Sequence, residues 1–243
     1  MLSGCKNFLI AKFGTEEHLQ QLKNGTIFFN CIQTYRNDGT SYRGDDMEGC
    51  IPIDPKTLAI YNEAGENLFD IVPLPDKVVQ SIVNDENLMM FCASTITKEI
   101  TYGISNGIYK FKDEYIQAVK DFGDHVLLLW TVELLDHIKN ATDFTGQKIG
   151  YDSGMILYRD LSDFEHTEEY RKTGSVLDPY FVKSNKYKGQ NEWRVIIDGE
   201  KQSLQPNRGT GFVLETAPLE YAVLMETQAF LNGVIRFGEN REL

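Results

Sequence analysis

The apolar residues of this chain arrive in runs of strand length, and that spacing constrains the fold more than any other feature. The runs are "NFLIAKF" at 7–13, "TIFFN" at 26–30, "NLMMFCAST" at 87–95, "HVLLLWTV" at 125–132, "NEWRVIID" at 191–198, "TGFVLET" at 210–216, "EYAVLM" at 220–225 and "GVIRFG" at 233–238. Such runs, bounded by turn-forming residues, build strands. None reaches the roughly 18 consecutive apolar residues that a membrane-spanning helix requires.

Short amphipathic helices are predicted between the runs. "GTEEHLQQLKNG" (14–25) has Thr15 placed as N-cap, acids in its first turn, Leu19 and Leu22 on one face and Gly25 as terminator. "FKDEYIQAVKDFG" (111–123) puts Tyr115, Ala118, Val119 and Phe122 on one face, and "ELLDHIKNA" (133–141) follows the continuous apolar strand at 125–132, which is expected to be buried on both faces. No repeat or Pro/Gly/Ser linker divides the chain. The expectation is a single α+β domain over residues 1–243, with mixed or antiparallel sheets and short helices.

Three segments read as connections. Residues 31–50, "CIQTYRNDGTSYRGDDMEGC", lose periodicity and predict a long loop, of the kind that often carries function. "TLAIYNEAGENLFDIV" (57–72) predicts a hairpin around "NEAGEN", and "KIGYDSGMILYRD" (148–160) predicts one that turns at Asp152, Ser153 and Gly154. The polar stretch 161–180 reads as a surface helix or a loop.

With 24 Lys and Arg against 36 Asp and Glu, the net charge of −12 argues against extended duplex nucleic-acid binding, which depends on clustered cations. The four cysteines, Cys5, Cys31, Cys50 and Cys92, form no C-x-x-C pair, so reduced thiols and a cytoplasmic location are expected. His18, His125, His137 and His166 stand far apart, and none has a partner at metal-ligand spacing. The chain contains no nucleophile elbow, P-loop, H-E-x-x-H or dinucleotide-binding glycine motif. Asp45, Asp46 and Glu48 in "RGDDMEG" are of a type that holds hard divalent cations, but without calcium-loop spacing they read as a solvated acidic loop. A metal-dependent nuclease or phosphodiesterase built on them stands as one alternative.

"YKGQNEWRVIID" is the most informative stretch. Strand alternation predicts Gln190, Glu192 and Arg194 on one face, toward a cleft or solvent, with Trp193 and Val195 in the core. Gln190 and Glu192 resemble the Q/E-x-E signature of the ADP-ribosyltransferase superfamily. The opening unit "AKFGTEEHLQQLKNGTIFF" resembles that family's first motif, with Lys12 where the family has Arg or His and with Gly14 and Thr15 opening the helix. "MMFCAST" is similar to its Ser-Thr-Ser strand, offering Ser94 and Thr95. A broader likeness, through "FCAST", "MILYRD" and "FVKSNKYKGQNEWR", links the chain to bacterial proteins of unassigned function.

The resemblance implies an ADP-ribosyltransferase-like fold and NAD as substrate. Glu192 would meet the nicotinamide ribose, Gln190 the nucleophile, and Ser94 and Thr95 would brace Glu192. Lys12, Gly14 and Thr15 would lie in the nucleotide site. Tyr35, Arg36, Arg43, Lys183 and Lys188 are the nearest candidates for holding the pyrophosphate or an acceptor, arginine being suited to two-point phosphate contact. The implied activity is ADP-ribosyl transfer to a macromolecular acceptor or NAD glycohydrolysis, in a toxin or defence effector. A non-catalytic nucleotide- or protein-binding module on the same scaffold is the other alternative.

Overall fold

The computed structural model describes residues 7–40, 44–68, 78–81, 87–142, 146–162, 164, 177–198 and 211–237. Its opening unit follows the sequence pattern: β1 (Leu9–Gly14), α1 (Glu16–Lys23) and β2 (Thr26–Cys31). Thr15 caps α1 by accepting a hydrogen bond from the His18 N–H at 3.4 Å. Gly25 makes the turn into β2 at φ +100°, where a Cβ would lie 2.3 Å from the Thr216 carbonyl oxygen, so a side chain is excluded twice over.

The expected loop at 31–50 instead opens with a helix, α2 (Ile32–Asn37). Six residues are too few to display a period. Ile32 is fully buried in one cluster with Met90, Tyr180 and Ile196, so tertiary packing sets this turn of helix. The acidic stretch that follows is not solvated either, since Asp45 and Glu48 are almost wholly buried. Farther on, β3 (Ile51–Ile53) pairs with β4 (Val78–Gln80). The hairpin expected around "NEAGEN" is present at its turn, where Tyr61 bridges Asn67, and its second arm from 69 onward lies outside the described residues.

β5 (Leu88–Thr95) is the central strand. A hairpin of β6 (Thr101–Ser105) and β7 (Ile108–Phe111) follows, turning at Asn106 and Gly107, whose φ angles of 38° and 76° are both positive. Asn-Gly between β-forming runs is a strong hairpin signal. The helix and strand expected next are α3 (Asp113–Val119) and β8 (His125–Trp130), and α4 (Thr131–Asn140) succeeds them. The turn expected at Asp152–Gly154 is in fact a strand, β9 (Asp152–Met155), because long-range pairing with Trp193–Ile196 overrides the local turn preference of Asp, Ser and Gly.

β10 (Leu157–Arg159) pairs in parallel with β11 (Val182–Ser184), and most of the polar stretch between them lies outside the described residues. β12 (Glu192–Asp198), β13 (Phe212–Glu215), β14 (Val223–Glu226), α5 (Thr227–Asn232) and β15 (Ile235–Arg236) complete the fold. The main sheet has the order β13-β2-β5-β1-β8-β14, with β12 and then β9 on the other side of β5, and every pairing in it is antiparallel. Leu19, Leu22, Leu134 and Ile138 from α1 and α4 share one core cluster with Ile10, Phe91 and Trp193. Tyr115, Val119, Phe230 and Leu231 from α3 and α5 share another with Ala11 and Val126. The architecture is thus α+β, with helices on both sides of an antiparallel sheet. Among the described residues no helix is long and apolar enough to cross a membrane.

Candidate functional site

β5 carries the site because its two edges are used differently. Along one edge it pairs with β12 from Leu88 to Ser94. Along the other it pairs with β2 only at Met89 and Met90, and with β1 only at Ser94 and Thr95. The sheet therefore forks at Phe91–Ala93, where β1 and β2 diverge. A cleft of about 810 Å³ opens at this fork, within the range of small-molecule sites. Lys12 fills part of the fork: its ammonium donates to the Cys92 carbonyl at 2.6 Å and lies 4.6 Å from the centre of the Phe91 ring. Gly123 closes one side, and a Cβ there would sit 2.4 Å from the Gly14 carbonyl oxygen.

Lys12, Gly14, Thr15, Ser94, Gln190 and Glu192 all line this one cleft, joined by Tyr35 and Lys183. Thr95 does not line it. Fully buried, its hydroxyl donates to the Asn191 carbonyl at 3.0 Å, while the Asn191 amide donates back to the Thr95 carbonyl at 2.9 Å. Ser94 lies directly across from Glu192 in the register, and its hydroxyl donates to the Gln190 carbonyl at 2.7 Å. The two hydroxyls thus fix the backbone that leads into Glu192 rather than its carboxylate. Arg43 lies outside the described residues.

The three polar residues of "GQNEWR" do not share one strand face. Gln190 ends a 3-10 helix (Asn185–Gln190), Asn191 adopts the left-handed conformation at φ 46°, and β12 begins at Glu192. Gly189 allows this helix to approach α3 closely, since a Cβ there would lie 3.0 Å from the Glu114 carbonyl oxygen. Nor does Arg194 face solvent; it is fully buried. Trp193 and Val195 occupy the core as expected.

Glu192 is the hub of a buried polar network. Its Oε1 accepts from Arg194 Nε at 2.5 Å and its Oε2 from Lys183 Nζ at 3.0 Å. Lys183 also donates to Gln190 Oε1 at 3.1 Å, and the N–H of Glu192 donates to the Tyr158 hydroxyl at 2.8 Å. Arg194 completes its fork on Glu48, with Nη1 to Oε1 at 2.5 Å and Nη2 to Oε2 at 2.8 Å, and reaches the Tyr180 carbonyl at 2.6 Å.

Two carboxylates and two cations make the set neutral, which is how charges persist in a dry interior. Burial opposes ionisation of Glu192, but Arg194 and Lys183 outweigh it and hold the carboxyl well below its ordinary range. Burial likewise opposes the Lys183 ammonium, and Glu192 beside it prevails and raises its pKa. Burial and the Glu192 charge push the Cys92 thiol up to about 12, and burial with Cys92 and Glu192 pushes the Tyr35 phenol well above normal.

The acidic loop therefore has a different task from the one its composition suggested. Glu48 is spent on Arg194, and Asp45 Oδ1 accepts from the Met47 N–H at 3.0 Å within its own turn. Among the described residues no group of three or more His, Cys, Asp or Glu is placed to hold a metal ion. Sequence reading missed the partnership of Glu48 with Arg194, although one signal existed: an arginine between Trp193 and Val195 in a buried strand demands an anion. Tyr158 falls within "MILYRD", a segment of the broader likeness, but the sequence assigns it no role.

Compared with known proteins, the chain matches no family model, no curated protein and no solved structure.

Proposed function

We propose that the cleft binds NAD and that the protein breaks its N-glycosidic bond, passing ADP-ribose to a macromolecular acceptor or to water. One observation carries this reading. Lys12, Ser94 and Glu192, from three segments far apart in sequence, stand on the adjacent strands β1, β5 and β12 around one cleft. The order of motifs along the chain does not require that convergence.

The chemistry asks little of acid or base strength. As the bond between the ribose C1′ and the pyridinium nitrogen breaks, nicotinamide leaves with the bonding pair and positive charge develops on the ribose. The acceptor's nucleophilic atom then bonds to C1′ and releases its proton. Positioning and electrostatic stabilisation supply much of the acceleration. An ionised carboxylate has about four acceptor sites, and Arg194 and Lys183 occupy two of those on Glu192, leaving capacity for ribose hydroxyls. Gln190, locked through Lys183, stands beside it to orient the incoming nucleophile.

A second reading, a non-catalytic nucleotide-binding module, is favoured by the neutralisation of Glu192 by two cations. Calorimetry separates the two when combined with turnover. The enzyme reading expects NAD to bind and nicotinamide to be released, with Glu192→Gln keeping binding and losing release. Binding without release from the wild type would favour the module, and the absence of any NAD binding would remove the enzyme reading and leave a module for a different ligand.

A further inference from the structure

We propose that Glu48 is a positioning residue for Glu192, acting through Arg194; this rests on the reading of Glu192 as the carboxylate that meets the ribose. Glu48 is 1% exposed and commits both oxygens to the terminal nitrogens of Arg194. Arg194 then presents only Nε to Glu192. The guanidinium is a planar fork, so fixing two of its nitrogens fixes the direction of the third. Glu48 thereby sets where Glu192 Oε1 is held.

Its charge matters as much as its geometry. Without the Glu48 anion the remaining trio of Lys183, Arg194 and Glu192 carries a net positive charge, and Arg194 is left with Glu192 as its carboxylate partner in this network. The carboxylate of Glu192 would then be drawn toward the guanidinium and away from the cleft.

The segment around Glu48 is built to hold it still. Arg36 Nε donates to the Glu48 carbonyl at 2.6 Å, Tyr187 donates to the Gly44 carbonyl at 2.5 Å, and the Glu48 N–H donates to the Asp45 carbonyl at 3.0 Å. Gly49, at φ +66°, lies so close to the Tyr180 ring that a Cβ would be 2.1 Å from it. This degree of fixation would be unexplained in an exposed acidic loop.

The test compares Glu48→Gln, which keeps volume and loses charge, with the paired variant Glu48→Met/Arg194→Met, which replaces a buried ion pair by apolar groups of similar length and is expected to fold. Misplacing a reacting group by about 1 Å costs on the order of 100-fold. Glu48→Gln should lower kcat for nicotinamide release by about that factor while leaving KM for NAD nearly unchanged. The paired variant should regain the melting temperature but not kcat. Recovery of both together would show that Glu48 serves stability alone and would overturn the proposal.

A readout that needs no turnover is the carboxyl-carbon NMR resonance of Glu192. It should move in Glu48→Gln and stay in place in Glu63→Gln, an exposed control. If the wild type releases no nicotinamide, the NAD reading fails and this resonance alone decides the role of Glu48; an unmoved resonance in Glu48→Gln refutes it.

Discussion

Arg194 and Glu48, 146 positions apart in the chain, meet in a fully buried two-point ion pair with N–O distances of 2.5 and 2.8 Å. The contact ties the loop after α2 to the strand that begins with Glu192. Removing Arg194 leaves the Glu48 carboxylate without its guanidinium partner in a dry interior. Arg194→Met should therefore cost about 3–5 kcal/mol in urea denaturation, with most of the loss recovered when Glu48→Met is added.

The depressed pKa of Glu192 gives acid stability a definite direction. In the unfolded chain a glutamate takes up its proton near its ordinary value of about 4.3, whereas the folded carboxylate, held by Arg194 and Lys183 against the cost of burial, resists protonation. Its contribution is fully present above roughly pH 5 and is lost progressively as pH falls below that value. Denaturation midpoints between pH 7 and pH 3 should thus fall more steeply in the wild type than in Glu192→Gln.

The mutual hydrogen bonds of Thr95 and Asn191 lock the left-handed residue that precedes Glu192. Thr95→Val preserves shape but leaves the buried Asn191 carbonyl without its hydroxyl donor and the Asn191 amide without its hydroxyl acceptor. A stability loss of about 1 kcal/mol is expected by chemical denaturation, the net worth of a lost hydrogen bond, because the Asn191 carbonyl keeps the Thr95 N–H and the Asn191 amide keeps the Thr95 carbonyl.

Cys92 faces the cleft but is held as a thiol. With its pKa pushed up to about 12, the thiolate fraction at pH 7 is on the order of 10⁻⁵. Iodoacetamide at neutral pH should leave Cys92 unmodified under conditions that alkylate an ordinary exposed thiol, as read by mass spectrometry of its peptide.

Much of the fold was legible in the sequence because strands such as "HVLLLWTV" and capped helices such as that after Thr15 carry their instructions locally. Where long-range pairing decided the structure, local reading failed. Asp152–Met155 has the composition of a turn and becomes a strand through β12, and Ile32–Asn37 becomes helical through the cluster around Tyr180. The site divides in the same way. Lys12, Gly14, Thr15, Ser94, Gln190 and Glu192 do converge on one cleft, whereas the service of Glu48 to Arg194 depends on a contact that no spacing encodes.

The role of Glu192 in breaking the glycosidic bond of NAD is tested by nicotinamide release from NAD by the purified protein, with and without cell lysate, alongside Glu192→Gln. Release by the wild type is expected, with near-complete loss in Glu192→Gln, even though that variant stays folded and still binds NAD. Equal release by the two proteins, or none from the wild type under any condition, would contradict it.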